Sequence, residues 1–324
     1  MDAQPGTSDG ALSQLWFNDS DEFAALLGYA DARLTRLSKG SSKTRLVLGK
    51  ICDLEFRTTK TTGFHHLEGS LDAGIVHMHM DLGSGGSRRL GGRAVEISDL
   101  VVGAGGAQFD FLTAEQYDGV DFRLPETLVA AALDLREPIS AELFRGTTLH
   151  VVTNCDRWIT RVRGLTEALI ASCTQPAGSR AHEHAHAGIS DALVAMLLLP
   201  WKRSDTVAFR SLYYQRLPIV RRVTEFMHAN LGEPLMTHDL CRAGRASERA
   251  VEYAFRDVCG IGPKQYLKML RLNRVRRDLK ALPADVASVT QIAHQYGFWH
   301  MGHFSKDYRQ LFGETPRQTR NRRT

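Results

Sequence analysis

Arg249, Glu252, Tyr253 and Arg256 recur at steps of three and four, so a helix would carry them on one face. Such side chains have a definite chemistry. An arginine can hold guanine O6 and N7 bidentately, and a glutamate can accept from cytosine N4. Each such pair contributes about 1–3 kcal/mol of discrimination. The opposite face would carry Val251 and Phe255. Some fifty residues later the pattern returns. Phe304, Tyr308 and Leu311 would face inward, and Met301, Gly302, Ser305, Lys306 and Arg309 outward. A helix with an apolar anchor and an outer face of polar side chains can enter a major groove.

Short helical units must position these faces. In the first, a helix from Thr237 ends at Gly244, and Ser247 can cap the next by accepting from its unpaired amides. In the second, a helix from Thr290 reaches a turn at Gly297. Between them Pro263–Leu282 reads as one long helix with Leu272, Val275, Leu279 and Leu282 on a single stripe. Its Arg271, Arg274, Arg276 and Arg277 are expected to neutralise phosphates. Ile219, Val223, Phe226 and Met227 form a further stripe upstream, closed by Gly232-Glu-Pro234.

Charge supports this placement. The chain of 324 residues has a net charge of +5, but from Arg216 onward 20 Lys+Arg stand against 10 Asp+Glu. The first 215 residues balance at −5, so a polyanion is expected at one end only. No apolar run approaches the roughly 18 residues of a membrane span, and no membrane partner is expected. The N-terminus lacks a basic-then-apolar signal pattern, which makes the cytoplasm the default compartment. Cys52, Cys155, Cys173, Cys241 and Cys259 are odd in number and form no CxxC pair. They read as core thiols rather than a disulfide framework or zinc site.

The N-terminal half reads differently. Residues 1–20 look like a loose, flexible leader. Leu46–Phe56, Ala73–Met80 and Ala94–Val102 read as short strands with glycine-rich turns between them, which suggests a sandwich or barrel over 21–155. Residues 156–215 read as a helical linker with apolar residues Ile159, Val162, Leu165, Leu169 and Ile170, then a second helix over 189–199. These helices would either make a dimer seam or pack on their own β-domain. His77-x-His79 places two imidazoles on one strand face, with Asp81 beyond them. The carboxylate of a cupin-type metal site is missing at Gly83 and Ser84, so a structural reading is preferred and no metal is assigned. His65-His66 beside Phe64 could line a pocket, but nothing in the sequence fixes their orientation. His182-x-His184-x-His186 and Trp201-Lys-Arg203 read as a solvated loop and its edge.

Several separated pieces in the last hundred residues resemble the DNA-binding domain of the AraC/XylS family. They are Phe255-Arg-Asp-Val-Cys-Gly-Ile-Gly-Pro-Lys-Gln-Tyr-Leu267, Arg271-Leu-Asn-Arg274, Gln291-Ile-Ala293, Tyr296-Gly-Phe298, His303-Phe-Ser305 and Phe312-Gly-Glu-Thr-Pro316. The Gly-Phe-Trp-His stretch is similar to the subgroup containing the ethanolamine-utilisation regulator. The resemblance covers about a third of the chain. It implies an α+β multidomain protein. A β-rich, barrel-like sensor domain and a helical linker would precede an all-α domain (216–324) with two helix-turn-helix motifs, at 239–260 and 292–315. By that resemblance Ser247, Arg249, Glu252, Tyr253, Arg256, Arg274, Met301, Gly302, Ser305, Lys306 and Arg309 would contact double-stranded DNA. The two recognition helices would enter successive major grooves about one helical turn (~34 Å) apart. One departure stands out: where the family has glycine two residues before the capping serine, this chain has Arg245, with Gly244 before it. The first turn is therefore expected to differ by one residue.

The function implied is a sequence-specific, effector-responsive transcription regulator and non-enzyme. It would have a small-molecule effector, a homodimeric state, RNA polymerase as a partner if it activates, and no cofactor. Two alternatives remain at this level. One is an enzyme with an accessory DNA-binding domain, which the absence of GxSxG, P-loop, HExxH or a cysteine cluster disfavours. The other is an architectural DNA-binder without an effector.

Overall fold

The computed structural model describes residues 12–19, 22–23, 26–27, 29, 31–83, 88–133, 149–153, 156–173, 188–189, 191–197, 208–211, 216–283 and 285–322. The first half is built from antiparallel strands. In chain order these are β1 (Leu12–Phe17), β2 (Arg33–Arg36), β3 (Thr44–Ile51), β4 (Leu54–Thr62), β5 (His65–Ser70), β6 (Ile75–Asp81), β7 (Arg88–Leu90), β8 (Arg93–Val95), β9 (Leu100–Gly103), β10 (Gln108–Leu112) and β11 (Gln116–Pro125). Helix α1 (Glu126–Leu133), strand β12 (His150–Thr153), helix α2 (Asp156–Cys173) and strand β13 (Ala208–Ser211) follow.

These strands form an eight-stranded sheet, β1-β3-β4-β11-β6-β9-β12-β13, and a five-stranded sheet, β2-β5-β10-β7-β8. The sheets do not close into the barrel expected from the sequence, because β1 and β13 end the larger sheet without pairing to each other. Two further expectations change. Residues 12–17 lie in the expected leader but form β1, which pairs with β3 from Leu12↔Gly49 to Phe17↔Thr44. The expected helical segment contains β13, which pairs with β12.

Alternation along the strands builds the layers. Val76, Met78 and Met80 of β6 share a core with Val120, Phe122 and Leu124 of β11. Ile159, Val162 and Leu169 of α2 complete it, with Leu193 and Leu197 from the helical residues 191–197. The apolar stripe of α2 is thus covered by its own sheet, and Trp158 Nε1 donates to Met196 O at 2.5 Å. The odd-numbered residues of β6 and β11 turn the other way, toward the smaller sheet.

The last hundred residues are helical: α3 (Leu217–Ala229), α4 (Thr237–Gly244), α5 (Glu248–Cys259), α6 (Pro263–Ala281), α7 (Val289–Gln295), α8 (Met301–Phe312) and α9 (Pro316–Asn321). Their boundaries follow from local chemistry. Ser247 Oγ accepts from Ala250 N at 3.3 Å and opens α5. Ser288 and Gln291 form a reciprocal cap that opens α7, one residue before the expected start. Val251, Phe255, Leu272, Val275, Leu279, Ile292, Phe304, Tyr308 and Leu311 join one core, with α6 running through it. Leu37 and Leu112 of the β-domain belong to that same core.

The turn between α4 and α5 resolves the glycine departure. Arg245 itself adopts the left-handed conformation, φ 49 and ψ 46. Gly244 serves a different purpose: a Cβ there would lie 2.9 Å from Val223 Cγ2 and 3.3 Å from Ile219 Cγ2. It lets α4 approach α3. The corresponding turn after α7 uses Gly297 at φ 78. Arg245→Gly is therefore expected to stabilise the chain by about 0.5–1 kcal/mol through relief of left-handed strain. Gly244→Ala should cost about 1–3 kcal/mol by overpacking. Thermal melting of the full chain measures both, and the same sign for the two would contradict this assignment.

Candidate nucleic-acid interface and the cavity behind it

The outer face of α5 presents the expected residues, arranged as two pairs. The Arg249 guanidinium lies 5.4 Å from the Tyr253 ring centroid and donates to its hydroxyl at 3.3 Å. Arg256 Nε donates to Glu252 Oε1 at 2.8 Å. Tyr253 is 44% exposed, a high value for a large aromatic side chain. Exposed pairs of this kind contribute only about 0–1 kcal/mol, so base or phosphate partners can replace them at small cost. On α8, Met301 is half-buried, while Gly302, Ser305, Lys306 and Arg309 are exposed. Ser305, Lys306 and Arg309 line one shallow groove with Gln310 and Thr315. Among the described residues no ion pair holds Lys306 or Arg309.

Trp299, marked in the sequence only by the Gly-Phe-Trp-His resemblance and not as a DNA contact, is 68% exposed just before α8, with the His294 ring 5.0 Å away. Its position at a helix start on the polar side was the available signal.

The arginines of α6 are placed differently from expectation. Arg271 donates to Leu231 O at 3.0 Å and to Glu233 O at 2.5 Å. Arg274 is engaged by the Tyr296 hydroxyl at 3.3 Å and by Asp278 at 3.4 Å. Arg276 is buried between Asp19 at 3.2 Å and Glu314 at 3.0 Å, and Arg277 donates to Leu34 O at 3.3 Å. Arg271, Arg276 and Arg277 tie elements together instead of standing free for phosphates, because helices and β2 pack on their sides of α6, whereas Arg274 keeps its side chain 49% exposed.

Between the two sheets lies a cavity of about 90 Å³. At about 30 Å³ per water that is room for roughly three water molecules, or one small ring of comparable volume. Its walls are largely apolar, with Phe109, Phe111, Leu34, Leu67 and Val101, and polar groups gather on one side. Asp121 ties that side together. It accepts from Arg57 at 3.1 Å and bonds His79 Nδ1 at 2.9 Å. Arg57 also reaches the Tyr29 hydroxyl at 2.5 Å, and the Tyr117 hydroxyl lies 3.2 Å from His79 Nε2. Burial opposes the charge on Asp121, but His79 and Arg57 outweigh it and hold the carboxyl below its ordinary range.

His77 and His79 do share one strand face, as alternation required, but they differ in state. Both nitrogens of His79 are engaged, and Asp81 is paired with Arg88 at 2.8 Å. His77 is 4% exposed, and among the described residues neither of its ring nitrogens has a hydrogen-bond partner. Burial, aided by Arg123, pulls its pKa down to about 3. His65 also lines the cavity, with its Nδ1 unpartnered among the described residues. Burial and Arg36 lower it to about 4. Both rings are therefore neutral near pH 7, each with one donor and one acceptor nitrogen.

The next residue, His66, points to the opposite face. Its Nδ1 lies 2.7 Å from the Tyr266 hydroxyl of α6, and its Nε2 lies 2.9 Å from Asp110 Oδ1. Burial works against the imidazolium, yet Asp110 and Glu68 raise its pKa above the ordinary value. His66, Glu68 and Asp110 place possible metal-ligand atoms within 4.8 Å of one another. Both nitrogens of His66 are already engaged, so this cluster reads as an interdomain bridge. No sequence signal marked it, since His66 and Tyr266 are 200 residues apart. The His182–His186 patch and Trp201–Arg203 lie outside the described residues.

A family model described as a helix-turn-helix domain matches residues 240–322. The chain is similar to the "Probable thc operon regulatory protein" of Rhodococcus erythropolis, 31% identical over 61% of this chain and 58% of that protein. It is also similar to "XylDLEGF operon transcriptional activator 3" of Pseudomonas putida, 30% identical over 56% of this chain and 52% of that one. The chain thus spans just over half the length of these curated relatives. Among solved structures, a transcriptional regulator with an AraC-type DNA-binding domain from Chromobacterium violaceum is 36% identical. The match covers 33% of this chain and 93% of that one, with a TM-score of 0.31.

The neutral histidines make a pH prediction. In the unfolded chain both titrate near 6.5. Below that pH the unfolded state binds protons that the folded state refuses, so stability falls with pH toward 4 and 3. By pH 5 the loss should be about 2 kcal/mol for each ring. Melting temperatures from pH 7 to 5 should show a shallower acid slope for His77→Gln than for the parent; an unchanged slope would refute the neutral state.

Proposed function

Because the chain belongs to the AraC/XylS family of DNA-binding transcription regulators, we propose that it is a sequence-specific regulator whose DNA reading responds to a small molecule. The observation that carries the DNA reading is the pair of exposed polar helix faces, on α5 and α8, joined by α6 in a segment of net charge +10. In this reading α4–α5 and α7–α8 are two helix-turn-helix units. Residues 21–155 form the body of the effector domain, joined by β1 and by α2 and β13 from the expected linker, and 216–324 form the DNA-binding domain. Arg249, Glu252 and Tyr253 read bases, while Ser305, Lys306 and Arg309 chiefly hold phosphates. RNA polymerase is the further partner if the output is activation.

The cavity supports the effector part. Neutral His77 has a donor and an acceptor nitrogen without partners among the described residues, beside aromatic walls. A buried polar atom left unpaired costs about 1–3 kcal/mol. A one-ring molecule with a hydroxyl, amide or acid group would supply the missing bonds. His77→Leu should abolish the stabilisation that such a molecule gives. A thermal-shift panel of one-ring alcohols, amides and carboxylates checks this. No stabilisation across the panel would favour an effector-independent DNA-binder.

For DNA, duplexes enriched from a random pool should span two successive major grooves. Arg249→Ala should relax one base position. Lys306→Ala should weaken all sequences alike and lower the slope of log affinity against log salt by about one. Indistinguishable behaviour of the two variants would overturn the division into base-reading and phosphate-holding helices.

A further inference from the structure

The cavity and helix α6 press on opposite faces of the same two strands. On β5, His65 lines the cavity and His66 meets Tyr266. On β10, Phe109 and Phe111 line the cavity, and Asp110 between them holds His66. We propose that His66, braced by Asp110 against the Tyr266 hydroxyl, is the positioning residue that couples occupancy of the cavity to the hold of the β-domain on α6. This deepens the effector reading above and rests on it.

The coupling follows from geometry. Adjacent residues of one strand cannot move independently, so a displacement of His65 or Phe111 is passed to His66 or Asp110. The bridge is fully buried, with His66 at 0% exposure, so water cannot replace a lost bond. Helix α6 is the shared core of both helix pairs, and a change in its hold reaches both DNA-facing helices together. A second grip lies farther along α6. Asn273 accepts from Arg36 N at 3.4 Å and donates to Arg36 O at 3.1 Å, both in β2, the neighbour of β5. The cavity thus has a short mechanical route to the DNA-binding unit. An occupant shifts the balance to the extent that it prefers one state of the bridge.

The test fills the cavity from a strand that carries neither grip. Val101 of β9 lines it, and Val101→Phe serves as a built-in occupant. Hydrogen exchange of the α6 amides is measured in four full-length chains: parent, Val101→Phe, Tyr266→Phe and the double variant. Filling the cavity should change α6 exchange by about tenfold when Tyr266 is present, a usual size for coupling between sites. In the Tyr266→Phe background the change should fall below about twofold, the limit of additive behaviour. Equal changes in both backgrounds would overturn the proposal, since a purely structural tyrosine gives additive effects. If Val101→Phe does not fold, Val101→Leu makes the same comparison. Affinity for a duplex enriched by the parent chain should follow the same non-additive pattern. If no duplex is enriched, the regulator reading falls, while the exchange data still decide the coupling.

Discussion

The period-two alternation of the five-stranded sheet is the constraint on which this structure depends. A strand buried on both faces must satisfy two environments with alternate residues. In β5 and β10 the two environments are a cavity and a helix. Leu67, Phe109 and Phe111 make one face apolar and aromatic, while His66, Asp110 and Leu112 make the other a mixed docking surface. A register slip of one residue would bury the His66–Asp110 pair in the cavity and turn the phenylalanines against Tyr266. Both faces are therefore specified together.

Burial disfavours the charged form of His65, His66 and His77 alike, yet they end in opposite states. His65 and His77 face a cavity where positive groups add to desolvation, and they stay neutral. His66 loses the same solvation but has Asp110 at 2.9 Å, and the carboxylate wins. The difference lies in the partner rather than in burial. It leaves the cavity with hydrogen-bonding capacity and gives the domain interface a charge-assisted bridge.

The helical third solves a different problem. Its outer faces must remain polar and exposed while α6 serves two helix pairs and a β-sheet at once. Arginine does much of this bridging. Arg276 lies between Asp19 and Glu314, and Arg271 closes the carbonyls after α3. Such residues are counted as positive charge in the sequence, yet their charge is spent inside the molecule. The exposed cations of α8 and the paired ones of α5 face outward, together with Arg242, Arg245, Lys264 and Arg274.

Helices α3 to α8, the Ser247 cap, the inward anchors and the outward faces were legible in the sequence, because all are local. Ser247, Val251 and Phe255 declare a helix and its orientation within nine residues. The sharing of one strand face by His77 and His79 was legible for the same reason. Tertiary structure alone decided which histidine of the His65-His66 pair meets the cavity, since nothing local orients a strand toward one layer. It also decided that the sheets stay open, that residues 12–17 pair with β3, and that Arg245 carries the strained turn while Gly244 makes room for α3. The roles of the α6 arginines and of Tyr266 were decided in the same way. Arg277 and Leu34 are 243 residues apart, Tyr266 and His66 200, and contacts of that span leave no periodicity or spacing in the chain.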